Sequence, residues 1–473
     1  MKNSLTLFFL NFLFIGLGQQ AIIKGFAPKY IGQKIEILQI EDYLSSKEKT
    51  IFSGIVSNDS TFYAEIPIEN TQKIIIRSKN NTGQMYVQKG AKYFIYFPEK
   101  NKFDEYRPLG NQVEIAFQDL SEEDVNFKIL SFDRWMNTFL GEYFYKKNIE
   151  KLEFLKKLDS FKLNVFQYYH KDTNFFFQTY VRYSIANLDD IQYLGHRNRF
   201  EKYDFYLDQY PVSYSNDVYM KYFNTFYKNI CTKMAMEFSN KVYLGILKSS
   251  PTLMVNALGE EYTLKNKRLR ELCLLKLLSD EYFSGEYPQT NILSVLDSMK
   301  HYAIYDEHKI IAGNLIQKLT ELVQGSNAPD FELVSIQTKQ VYTKKDFLNK
   351  HVYMQFVDFQ IKESEKELEL LVPMYEKYKK DVEFITLYKN ENKLSPKGKE
   401  LLDKLPWPTI PISDEFRVVK NYKIFSYPTY VLLDSYGYVV DFPALKPTPN
   451  SKYETIDKSF FYIKKWNEEQ ENK

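Results

Sequence analysis

Two cysteines and five histidines in 473 residues leave thiol and imidazole chemistry few places to reside. Cys231, in Tyr-Lys-Asn-Ile-Cys-Thr-Lys-Met, and Cys273, in Arg-Glu-Leu-Cys-Leu-Leu-Lys-Leu, lie on helix-like apolar faces about 40 residues apart. No Cys-x-x-Cys and no metal spacing surrounds them. They read either as two buried thiols or as one structural disulfide, because cysteine packs as a small apolar side chain and a disulfide demands a strict Cα separation. His301 and His308 could share a helix face, yet neither they nor His170 and His196 have an acidic or cysteine partner at ligand spacing. No metal and no cofactor is expected. Asp358, Glu363, Glu365 and Glu367 form the densest carboxylate cluster near an apolar strand, but alternating Glu and Lys over 362–380 is the pattern of a solvated helix face. General acid–base work needs a placed pair with shifted pKa values instead. Ser364 has only His351 nearby in sequence as a base, so a nucleophilic serine is not expected.

The elements that must position these residues change character along the chain. Residues 21–118 carry short alternating runs, Lys34-Ile35-Glu36-Ile37-Leu38, Thr61-Phe62-Tyr63-Ala64-Glu65-Ile66, Lys73-Ile74-Ile75-Ile76-Arg77 and Lys92-Tyr93-Phe94-Ile95-Tyr96-Phe97, separated by turn residues. That predicts a β-sandwich. From 119 to 322 the apolar period becomes helical, as in Phe132, Trp135, Met136, Phe139 and Leu140, and predicts an all-α domain of antiparallel helices. Gly325-Ser326-Asn327 marks a linker. Residues 325–473 then alternate strand and helix: strands at 331–336, 352–357, 382–387, 429–434 and 438–442, helices at 361–379, 394–404 and 451–467. This predicts a largely parallel α/β sheet with helices on both faces. The expected fold class is therefore multidomain.

Composition narrows the function classes. A net charge of +2 with 26% charged residues gives no basic stripe for nucleic acid. Aromatics make up 17%, with 39 Tyr and 37 Phe, and are expected mainly in cores. Residues 1–20 read as a secretory signal peptide, with Lys2, an apolar run from Leu5 to Leu17, and small residues at Gly16-Leu17-Gly18. At about 13 residues the run is short of the ~20 needed to span a membrane. The expected location is the periplasm, free or against the outer membrane, with no transmembrane span after signal removal.

The carboxy-terminal third resembles the thioredoxin-like domains of periplasmic thiol-disulfide oxidoreductases of the TlpA and AhpC-like kind. The resemblance rests on Ala328-Pro329-Asp330-Phe331-Glu332-Leu333, the Phe356-centred strand running into a helix that contains Glu367, Tyr427-Pro428-Thr429 opening a strand, and Leu432-Leu433-Asp434 before Gly437. The phrases Ser57-Asn58-Asp59-Ser60-Thr61-Phe62 and Tyr86-Val87-Gln88-Lys89-Gly90-Ala91-Lys92-Tyr93 similarly resemble the prealbumin-like modules preceding such domains in exported proteins of Bacteroidetes-type bacteria.

What the resemblance implies is a Cys-x-x-Cys at the helix start, where unpaired N–H groups lower the first thiol's pKa and the second thiol resolves the mixed disulfide. Those positions fall on Ile361, Lys362, Glu363 and Ser364, so both thiols are absent. It also implies a cis peptide at Pro428 beside the helix start, exposing the backbone at Tyr427 either to an extended segment or simply to shape the fold. The expectation is an exported, non-redox binding or scaffolding module for a protein or peptide partner. The alternative is a thiol-disulfide oxidoreductase of this family working through other cysteines or a partner, and a third reading gives the β-sandwich a glycan or outer-membrane partner.

Overall fold

The computed structural model describes residues 20–78, 81–99, 112–144, 150–193, 199–230, 236–335, 340–389, 394–412 and 416–471. The expected signal segment, 1–20, lies outside the described residues except for Gln20. The chain forms two compact units that part between Asp280 and Glu281.

The first unit begins with strands whose alternation sends every second side chain inward. β1 (Ala21–Phe26), β4 (Thr61–Ile66), β7 (Lys92–Tyr96) and β9 (Ala116–Gln118) form one sheet in the order β4-β1-β7-β9. β2 (Lys34–Asp42), β3 (Lys47–Ile55), β5 (Gln72–Ser78), β6 (Asn81–Val87) and β8 (Gln112–Val113) form a second, in the order β3-β2-β5-β6-β8. Ile23, Phe62, Tyr93 and Ile95 of the first meet Ile35, Ile37, Ile74, Ile76 and Met85 of the second in one core, which makes the pair a sandwich.

The helices that follow cover the outer face of the five-stranded sheet. α1 (Val125–Tyr143) starts at Asp124, whose side chain accepts from the Asn126 N–H at 2.7 Å. That carboxylate supplies a partner to one otherwise orphaned donor of the first turn. With α2 (Lys151–Tyr169) and α3 (Phe175–Tyr193), α1 builds a core of Phe132, Phe139, Phe154, Leu158, Phe161 and Phe177 that also takes in Tyr86 of β6. Asn126 accepts from the Tyr86 N–H and donates to the Tyr86 carbonyl, both at 2.7 Å, so one buried amide joins helix to strand. The segment continues through α4 (Arg199–Lys202), which tightens into a π-helical turn over Tyr203–Asp208, then α5 (Asp217–Phe226), α6 (Met236–Leu247) and α7 (Pro251–Gly259). In α8 (Lys267–Glu281) nearly every residue from Leu269 to Leu278 is buried. Sequence periodicity suggested one apolar face there; instead the helix is enclosed on all sides.

The second unit contains the hairpin of α9 (Gln289–Tyr302) and α10 (Asp306–Leu319), followed by the α/β region. β10 (Glu332–Val334) and β11 (Val341–Thr343) form a small ribbon. β12 (His351–Asp358), β13 (Val382–Lys389), β14 (Thr409–Pro411), β15 (Thr429–Leu433) and β16 (Val439–Asp441) form a sheet in the order β14-β13-β12-β15-β16. Only β12–β13 and β13–β14 pair in parallel; β12–β15 and β15–β16 are antiparallel. The expected largely parallel sheet is thus a mixed one, because β15 returns directly into the Ser435–Gly437 turn and so makes a hairpin with β16. α11 (Lys362–Tyr378), α12 (Pro396–Lys404), α13 (Phe416–Asn421) and α14 (Ile456–Glu471) complete it. Val352, Met354 and Phe356 of β12 enter one core and Tyr353 and Val357 the other, so this central strand is covered on both faces.

Candidate functional site

β12 ends at Asp358 and α11 begins four residues later, so the chain must turn sharply between them. The Ile361 N–H donates to the Asp358 carbonyl at 2.9 Å, and the Gln360 N–H to the Asp358 carboxylate at 2.9 Å. Ile361 is the residue that caps α11; its backbone is extended and its side chain offers nothing to the first-turn donors. Ser364, fully buried, lies within that first turn. Its hydroxyl accepts the Asp358 N–H at 3.2 Å, and its own N–H donates to the Ile361 carbonyl at 2.9 Å. The hydroxyl closes the turn from beneath and faces no solvent. His351 stands at the opposite end of the eight-residue β12, on the order of 20 Å from Asp358 at the rise of a strand, so it cannot serve Ser364 as a base.

The carboxylate cluster divides. Glu363 is exposed, as a solvated face requires, whereas Asp358 and Glu367 are buried at 7% and 1% exposure. The solvated-face expectation for 362–380 therefore fails at Glu367. Glu367 accepts from the hydroxyls of Tyr430 and of Thr448, the latter at 2.8 Å. Two donors thus offset the desolvation of a buried carboxylate. Burial, then the Glu367 charge, holds the Tyr430 hydroxyl well above its ordinary pKa, which keeps it a donor. The sequence did contain the signal: Ser364, Glu367, Leu368 and Leu371 recur at helical spacing on the buried side of α11.

Across from this turn, the Tyr427–Pro428 peptide is cis. β15 pairs with β12 as far as Thr429↔Phe356, two residues short of Tyr427 and Asp358 on their respective segments. Burial and then the charge of Asp358 push the Tyr427 hydroxyl pKa up, and the Lys389 ammonium lies 5.5 Å from the Tyr427 ring. The Thr429 hydroxyl donates to the Ser426 carbonyl at 2.6 Å, fixing the loop just before the strand. Phe425, two residues before Tyr427, is 92% exposed. Ile361, at the start of α11, and Tyr427, in the loop before β15, are thus both tied to Asp358, and Phe425 lies in the same loop as Tyr427. Sequence reading brought the first two together and missed Phe425, whose loop position gave no periodic signal.

The other sequence candidates stand apart from this turn in character. Cys273 is buried in α8, and Cys231 lies outside the described residues, so the pair has no described geometry. His170 is exposed and bonds the Gln167 carbonyl at 2.9 Å, His301 is exposed near Asp297, His308 is buried, and His196 lies outside the described residues. Among the described residues no three His, Cys, Asp or Glu side chains gather as a metal site, and no helix is long and apolar enough to cross a membrane.

A central β12 feeding the capped start of α11, opposed by a cis-proline that opens an antiparallel strand, defines a thioredoxin-like domain. The thiol-disulfide oxidoreductase ResA of one Bacillus cereus strain is 28% identical over 150 residues, covering 32% of this chain and 82% of that protein. ResA of a second strain is 30% identical over 118 residues, covering 25% and 67%. Among solved structures, the thioredoxin domain of a thiol-disulfide oxidoreductase from Bacteroides vulgatus matches at 22% identity and a TM-score of 0.23, over 25% of this chain and 87% of that one. A thiol:disulfide interchange protein from Bacteroides sp. matches at 22% identity and 0.25, over 31% and 90%. No family model matches the chain. The chain belongs to the thioredoxin-like thiol-disulfide oxidoreductase superfamily.

Proposed function

We propose that this is an exported thioredoxin-like protein whose carboxy-terminal domain has given up dithiol exchange and serves to hold an extended protein or peptide segment. The observation that carries the reading is the start of α11: a helix cap and first turn facing a cis-proline, occupied by Ile361 and Ser364. Isoleucine has no nucleophile, and a buried serine hydroxyl engaged with the Asp358 N–H is not redox active. Relatives named thiol-disulfide oxidoreductases need two thiols for that exchange, and no cysteine occurs in this chain after Cys273. What survives is a surface. Ile361, Tyr427 and Phe425 offer apolar contacts beside a backbone segment that can pair with an extended chain.

The proposed organisation is a signal peptide at 1–20, a sandwich at 21–118, a helical domain at 119–322 and the thioredoxin-like domain at 325–473, working in the periplasm without a cofactor. Reintroducing the thiols tests the placement of the site. Ile361→Cys with Ser364→Cys puts two sulfurs one helical turn apart, within the Cα range a disulfide accepts, and mass spectrometry under non-reducing conditions should find them bonded. Two unpaired thiols in a folded double variant would mean that the ancestral motif lay elsewhere.

A further inference from the structure

The helices pack on one outer face of the sandwich, through Tyr86, Asn126 and their neighbours. Among the described residues the outer face of β4-β1-β7-β9 carries exposed side chains, and strand register writes them out as a grid. Tyr63, Lys24, Phe94 and Gln118 stand side by side in one row, and Thr61, Phe26, Tyr96 and Ala116 in the next. Glu65, Ile22 and Lys92 make a third. Their chain neighbours Phe62, Ala64, Ile23, Tyr93 and Ile95 all point into the core, so these residues point out. Four rings are exposed as a result: Tyr63 at 54%, Phe94 at 48%, Phe26 at 47% and Tyr96 at 40%. Phe26 and Tyr96 are 6.1 Å apart and tilted by 35°, while Tyr63 and Phe94, two strands apart, are separated by about 10 Å at ordinary strand spacing.

Contiguous exposed rings mark a recognition surface, and their polar neighbours indicate for what. A second copy or a folded protein would have to bury Lys24, which stands in the middle row between Tyr63 and Phe94; interface cores are depleted of lysine and glutamate for this reason. A pyranose ring asks for the mixture found here. Its C–H face is apolar with slightly positive hydrogens, which suits the negative face of an aromatic ring, and its equatorial hydroxyls need donors and acceptors around the rim. Lys24, Lys92, Glu65 and Gln118 can supply those while their charged ends stay in water.

The geometry points to this face as a binding surface for the sugar rings of a neutral polysaccharide, with Tyr63, Phe26 and Phe94 stacking on pyranose faces and Lys24 and Gln118 bonding hydroxyls. The surface is independent of Ile361 and Ser364. Native electrophoresis of the full mature chain through gels containing soluble β-glucan, amylopectin or galactomannan tests it, with sedimentation velocity alongside. At least one polysaccharide should retard the protein, and Phe94→Ala and Tyr63→Ala should each weaken that binding about tenfold or more with an unchanged unfolding midpoint. Lys24→Ala, which removes no ring, should weaken it less and serves should an aromatic variant fold poorly. Three gels without retardation, retardation indifferent to all three substitutions, or a dimer in solution that Phe94→Ala dissociates would each overturn the assignment.

Discussion

Single side chains at the candidate site and at the sandwich–helix junction are explained by burial more than by charge sign. Glu367 and Ser364 look like surface residues in a Glu- and Lys-rich run, yet both face the core and both have hydrogen-bonding partners. The same holds for Asp133 on α1, whose carboxylate accepts from the Tyr180 hydroxyl at 2.9 Å. Burial raises its pKa; the Tyr180 bond and the Lys73 charge oppose that shift, and the Asp217 charge adds to it. A carboxyl whose folded pKa is raised binds its proton more tightly in the folded state, so its contribution to stability is fully present below the unfolded value of about 3.8 and declines as pH rises through the folded value. Asp133→Asn keeps an acceptor for Tyr180 and removes the charge. Urea unfolding should show the variant at least as stable as the parent at pH 7, with that advantage vanishing towards pH 4; a variant less stable at pH 7 than at pH 4, relative to the parent, would contradict the sign. None of this was legible in the sequence, because Asp133 and Tyr180 are neighbours only through the packing of α1 against α3.

Elements were more legible than their partnerships. Periodicity located β2, β4, β5 and β7 of the sandwich, the helical change after residue 119, and β12, α11, β13 and β15, while β1, β3, β6, β8 and β9 were not picked out. In the carboxy-terminal domain three short elements escaped, β11, β14 and α13, because three to six residues do not establish a period. Strand direction also escaped: alternation reports which face is buried and is silent on whether a neighbour runs parallel. The joint between β6 and α1 shows how a partnership can rest on one residue. Tyr86 stands opposite Lys73 of β5, yet its N–H and its carbonyl both bond the Asn126 side chain. Asn126→Ala would leave a buried N–H and a buried carbonyl unpaired, each costing about 1–3 kcal/mol, and should lower stability by about 2–5 kcal/mol in equilibrium unfolding. A loss below about 1 kcal/mol would mean that other groups, or water, satisfy the strand.

At the scale of the molecule, resemblance and function separate. The two ResA relatives cover 32% and 25% of the chain, so most of its length has to be explained by its own surfaces. The family was legible because its frame is built from strand, turn and proline positions that persist without the thiols. The open aromatic face of the sandwich was not, since it appears only when register aligns residues from four strands. The central claim is that this frame has been kept for binding after the loss of exchange chemistry. Its most direct test is the dithiothreitol-dependent reduction of insulin by the purified chain lacking residues 1–20, followed by turbidity: the account predicts a rate equal to the protein-free background, and a rate well above it, abolished by blocking Cys231 and Cys273, would show that redox chemistry persists through relocated thiols.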